Sequence, residues 1–141
     1  MNRFTPQVRG AIRGAHAVAD EFVGTEHLLI TLARSPGAAS GLLSSIGLTA
    51  ERLRTVIPPG AGAATGTIPF SPGAKQAIEL AAEEATAHGA ENVGTVHLLA
   101  GLLTAEANAA SKAVGDAGFD QGQVRQALDE YLSSGAEEGG S

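Results

Sequence analysis

Gly24-Thr25-Glu26-His27-Leu28-Leu29 returns 70 residues later as Gly94-Thr95-Val96-His97-Leu98-Leu99, with one position changed. Working outward, Phe4-Thr5-Pro6 ahead of the first copy is answered by Phe70-Ser71-Pro72, 66 residues on. A repeat of this length implies two copies of one small unit, stacked so that each buries the other's apolar face. The changed position carries the chemistry: Glu26 of the first copy is Val96 in the second. One unit has a carboxylate where the other has an apolar group.

The units read as helical. No segment alternates with the period of a strand; apolar residues recur at three and four instead. Val8, Ile12, Ala15 and Ala19 form one stripe, and Ala74, Ala77, Ile78, Ala81, Ala82 and Ala85 another. Thr5-Pro6 and Ser71-Pro72 are helix starts, a hydroxyl to cap and a proline at the first helical position. Phe4 and Phe70, just ahead, are placed to staple the first turn. Thr25 and Thr95 are read as caps of helices running through Ala33 and Leu103. Pro36-Gly37 and Glu106-Ala107-Asn108 open the next pair, which ends near Gly47 and Gly118. Thr49 and Asp120 cap the last pair, whose Leu53, Val56 and Ile57 match Val124, Ala127 and Leu128.

The expectation is an all-α fold of two tandem four-helix repeats, about eight helices, related by pseudo-twofold symmetry. The repeats span 1–57 and 68–132, joined by a Pro- and Gly-rich linker over 58–67 and followed by a polar, disordered tail over 133–141. Twenty residues separate Phe4 from Gly24, but 24 separate Phe70 from Gly94. The difference is about one helical turn, so the first long helix, or the loop after it, is the shorter.

Composition narrows the function. The 141 residues suffice for one domain with its own core. There is no cysteine, hence no disulfide framework, thiolate metal site or cysteine nucleophile. A net charge of −6 argues against a nucleic-acid partner. No apolar run is long enough to span a membrane, and the N-terminus lacks the apolar stretch of a signal peptide. A soluble, cytoplasmic, monomeric protein is expected. His27 and His97 recur without a second ligand at metal spacing, so they read as structural histidines bonded between helices, with no metal and no cofactor. No nucleotide loop or Ser-His-acid set supports an enzyme.

Each unit thus runs Phe-(Thr/Ser)-Pro, an Ala-rich helix, Gly-Thr-(Glu/Val)-His-Leu-Leu, then a small helix pair. In this, residues 3 to 132 resemble the double Clp N-terminal domain that precedes the ATPase modules of the Clp unfoldases. Ile68-Pro69-Phe70-Ser71-Pro72-Gly73-Ala74-Lys75 looks most like the ClpC branch. The resemblance implies a non-catalytic module that docks peptides, substrates or adaptors. In the ClpC branch each repeat can hold a phosphorylated arginine, using the hydroxyl residue that starts the first helix and the glutamate of the Gly-Thr-Glu-His turn. Carried onto this chain, Thr5 and Glu26 make the first site. A phosphate suits the helix start, and a guanidinium suits the carboxylate. Ser71 and Val96 make a degenerate second site, because a buried cation without a counter-charge is costly. The resemblance also implies a surface for adaptors or cyclic peptide antibiotics, made by Phe4, Ile12, His16, Phe70, Lys75 and Glu79 if the two long helices lie side by side. Phe70 is its expected anchor. Plainer roles compete at every position: Thr5 and Ser71 as caps, Glu26 as a first-turn acid, Phe70 as a staple.

The chain has no Gly-x-x-x-x-Gly-Lys-(Ser/Thr) loop. The expectation is therefore a free-standing Clp N-domain, serving as a decoy or adaptor for a ClpC-type unfoldase. The alternatives are a piece excised from a full-length unfoldase, or a structural interaction protein whose ligand sites have decayed.

Overall fold

The computed structural model describes residues 4–18, 23–34, 37–57, 70–104 and 109–133, with backbone alone for 16–18, 109 and 133. The expected linker and the expected tail beyond Ser133 lie outside the described residues, as do Ala19, Pro36 and Glu106-Ala107-Asn108. Eight helices follow in order: α1 (Pro6–Val18), α2 (Thr25–Arg34), α3 (Ala38–Ser45), α4 (Ala50–Arg54), α5 (Pro72–Ala87), α6 (Thr95–Thr104), α7 (Ala109–Asp116) and α8 (Gln121–Ser133). No strand is present among the described residues; two isolated bridges join backbone segments.

Local chemistry sets the helix ends. Thr5 Oγ1 accepts from Val8 N–H at 3.2 Å and Ser71 Oγ from Ala74 N–H at 3.1 Å, so both expected caps form. Thr49 Oγ1 caps α4, and Asp120 with Gln123 makes a reciprocal capping box on α8. Gly47 and Gly118, both at φ 91°, end α3 and α7. Beyond them Leu48 and Phe119 donate N–H groups back to the carbonyls of Leu43 (2.9 Å) and Val114 (3.1 Å). A side chain at either glycine would strain the left-handed backbone this closure needs.

The middle of the molecule is α2 and α6. Every residue of α6 from Thr95 to Leu102 is buried, as a helix packed on all sides must be. Helix α5 lays Ala74, Ala77, Ala81 and Ala85 against it. The approach is so close that a Cβ at Gly101 would run into the carbonyl oxygen of Ala77. In the first repeat α1 packs on α2 with Val8, Ala11, Ile12 and Ala15, all buried.

Repeats interlock rather than merely stack. Helix α7 of the second repeat sits on α2 of the first, and α3 of the first contacts α6 of the second. Thr5 N–H donates to the Val93 carbonyl (3.1 Å), and Ser71 N–H to the Val23 carbonyl (2.9 Å). Arg52 of α4 lies 5.3 Å from the Phe119 ring centre and donates from Nε to the Ala117 carbonyl at 3.4 Å. The long helices α1 and α5 do not pack as a pair; α2 and α6 meet across the pseudo-twofold axis instead. Their expected side-by-side arrangement is thereby corrected. The reason is the direction of the apolar stripes, each turned toward the central helix of its own repeat.

Candidate functional site

Gly24 and Gly94 cap α2 and α6. The Gly24 carbonyl accepts from His27 N–H (3.1 Å) and Leu28 N–H (3.3 Å), and Gly94 serves His97 and Leu98 in the same way. The histidine returns the bond. Gly24 N–H donates to His27 Nδ1 at 2.9 Å, and Gly94 N–H to His97 Nδ1 at 2.9 Å. This is the capping-box exchange with imidazole in the place usually held by Glu or Gln. This bond lies inside each histidine's own turn.

The threonines join helices of opposite repeats. Thr25 Oγ1 accepts from Ala110 N–H in the first turn of α7, and Thr95 Oγ1 from Ala39 N–H in the first turn of α3, each at 3.0 Å. Neither hydroxyl caps its own helix, because glycine already holds the cap position one residue earlier. The signal in the sequence was the threonine's survival in both turns when the acid beside it changed.

Backbone bonds cross between the repeats here. Ser71 N–H is joined to Val23, which stands three residues before Glu26, and Thr5 N–H to Val93, three residues before Val96. The residue that starts each long helix is thus tied to the segment leading into the opposite repeat's turn.

The two sides differ in access. Glu26 is 29% exposed and Ser71 half-buried. Thr5 and Val96 keep only 3% and 2% of their surface. The Glu26 carboxylate folds back over Gly24, where an added Cβ would collide with its Oε1. It lies 3.6 Å from His27 Nδ1, which is occupied in accepting Gly24 N–H; with that nitrogen unprotonated, the two do not form an ion pair.

Of the residues expected on a wider surface, Phe4 and Ile12 are buried in the core. The His16 side chain lies outside the described residues. Phe70 is half-buried next to Ser71, while Lys75 and Glu79 are exposed on α5. Elsewhere a shallow groove between α3 and α8 is lined by Gly41, Leu42, Ala127 and Tyr131 among others. Among the described residues no cluster of acids and histidines is placed to hold a metal ion. No described helix is long and apolar enough to cross a membrane.

Comparison with known proteins agrees with this architecture. The profile of the Clp repeat (R) N-terminal domain matches residues 69–141. A ClpA homolog of the Clp protease ATP-binding subunit from Guillardia theta is 34% identical over 128 residues, 87% of this chain and 16% of the relative. The chloroplastic chaperone protein ClpC1 of Arabidopsis thaliana is 34% identical over 116 residues, 79% of this chain and 12% of the relative. The chain thus spans about a sixth or less of these relatives. In fold it is similar to the N-terminal domain of ClpD from Arabidopsis thaliana, with TM-score 0.75, 22% identity, and 94% and 96% of the two chains covered. The Hsp104 N-terminal domain of Candida albicans gives TM-score 0.73 at 17% identity, with 93% and 92% covered. With eight interlocked helices, twin Gly-Thr-x-His turns and the profile match over its second half, this chain belongs to the Clp repeat N-terminal-domain family.

Proposed function

We propose that this protein is a non-catalytic binding module of the Clp system that holds one phosphorylated arginine side chain at the composite Ser71–Glu26 site. One observation supports the reading: the helix start at Ser71 is bonded to Val23, three residues before the part-exposed Glu26, while Thr5 and Val96 on the matching side are buried. The start of α5 presents backbone N–H groups and the positive end of a 16-residue helix, which suit a phosphoryl group. Glu26 offers the guanidinium a charge-assisted, two-oxygen acceptor. Phe70, next to Ser71, supplies apolar area for the aliphatic stem. The ligands are arginine-phosphorylated proteins delivered to a ClpC-type unfoldase, and the module acts as their adaptor or as a decoy for them.

Calorimetric titration with free phosphoarginine tests this. Binding near one equivalent is expected, weakened about ten- to a hundred-fold in Glu26→Ala, since a hydrogen bond to a charged group contributes ~1.5–3 kcal/mol. Two equal sites, or a Glu26→Ala variant that binds like the wild type, would overturn the proposal.

A second reading rests on Phe70, half-buried yet next to the exposed face that carries Lys75 and Glu79. In it that face receives adaptor proteins or cyclic peptide antibiotics. Loss of cyclic-peptide binding in Phe70→Ala, with phosphoarginine binding retained, would favour it. A protein that bound neither ligand would instead be an interaction scaffold with decayed sites.

A further inference from the structure

We propose that His27 is a proton-sensitive positioning residue that decides whether Glu26 is available to a ligand. The inference rests on the reading of Glu26 as a guanidinium acceptor. In the structure His27 Nδ1 accepts Gly24 N–H at 2.9 Å, so the ring proton sits on Nε2 and the imidazole is neutral. The Glu26 Oε1 atom waits 3.6 Å from the same nitrogen. Protonation of Nδ1 turns an acceptor into a donor. The bond from Gly24 is then lost, two N–H groups face each other, and the Glu26 carboxylate, 3.6 Å away, can accept from the new N–H. Neutral His27 holds the turn and leaves Glu26 to the guanidinium. Protonated His27 takes the carboxylate itself.

Among the described residues the ring makes no other ion pair. Charged side chains on the neighbouring elements are exposed: Arg9 and Arg13 on α1, Glu51, Arg52 and Arg54 on α4, and Lys75, Glu79 and Glu83 on α5. Lys112 and Asp116 on α7 pair with each other, and Glu84 pairs with Arg125. Among the described residues Glu26 is the only acid within 4.0 Å of His27. The ring keeps 14% of its surface, enough for a proton to reach it. The second repeat is an internal control. His97 makes the same bond to Gly94, but its neighbour is Val96, which has no charge to surrender.

The test has two arms. In the first, the ring nitrogens of His27 and the amide of Gly24 are followed by NMR in the ligand-free protein from about pH 8 to about pH 6, where imidazoles titrate. The Gly24 amide is expected to shift together with the His27 ring. A Gly24 amide that ignores the ring overturns the proposal whatever the ligand does. In the second arm, phosphoarginine affinity is measured at both pH values. The wild type is expected to lose about ten-fold on acidification, as a charged acceptor is withdrawn. His27→Gln keeps a capping acceptor but cannot titrate, and its affinities at the two pH values should agree. His97→Gln should retain the wild-type ratio. An equal fall in His27→Gln assigns the effect to the ligand's phosphoryl group and overturns the proposal. Absence of binding at pH 8 sinks the phosphoarginine reading, leaving the first arm to decide the role of His27.

Discussion

Glu26 and Val96 occupy equivalent turns, yet their fates differ by more than a charge. Val96 is buried, and Glu26 curls over a glycine whose missing Cβ leaves room for its carboxylate. Gly24 is not among the glycines with positive φ, so its need for glycine is one of space and not of backbone conformation. Gly24→Ala should therefore cost at most about 1 kcal/mol in a urea titration, the usual scale for a changed helix cap. The same substitution should weaken phosphoarginine binding several-fold, because the new methyl group displaces Glu26 Oε1. A variant with unchanged affinity would show that the folded-back carboxylate is not the binding rotamer. The change of residue type was plain in the sequence. The segment that crosses to it was not, because Ser71, bonded to Val23 ahead of Glu26, lies 45 residues beyond Glu26 in the chain.

Among elements, the α5–α6 contact depends on small residues. Ala77, Ala81 and Gly101 let two backbones approach, and Gly101→Ala would push a methyl group into a carbonyl oxygen that cannot move aside. A loss of about 1–3 kcal/mol is expected by chemical denaturation, the range for overpacking a core. The first repeat solves the same contact differently: a Cβ added at Gly14 of α1 would only touch the Thr31 side chain of α2, at 3.4 Å. The crossed caps make a second expectation. Thr95→Val keeps the shape but leaves Ala39 N–H buried without its acceptor, at a cost of about 1–3 kcal/mol. Thr25→Val should do the same to α7 through Ala110, while the serine variants should lose much less. A neutral Thr95→Val would mean that this N–H finds another partner.

For the whole molecule, the crossed bonds predict mutual dependence of the repeats. Each repeat supplies the other with a helix cap and an extended backbone partner, and Arg52 adds a contact over Phe119. Residues 1–67 and 68–141, produced separately, are expected to show no cooperative thermal transition by circular dichroism, whereas the intact chain melts in one step. A cooperative melt of 68–141 alone would show that the family-matched half needs no partner.

Helix number, order and most caps followed from the sequence alone, because they depend on neighbours one to four residues apart. Thr5, Ser71, Thr49, Asp120 and the terminating glycines act within that reach. The duplication, and the lost carboxylate in one copy, were equally legible. Tertiary structure decided everything that crosses between the copies. It put α2 and α6, not α1 and α5, at the axis, turned Thr25 and Thr95 into caps of the opposite repeat, and buried Phe4 and Ile12. It also tied Ser71 to the segment ahead of Glu26, and Thr5 to the segment ahead of Val96. The physical reason is that two similar units present the same apolar faces and hydrogen-bonding groups. Local pattern cannot tell a partner within one repeat from the equivalent partner in the other; only the closed packing of both selects between them.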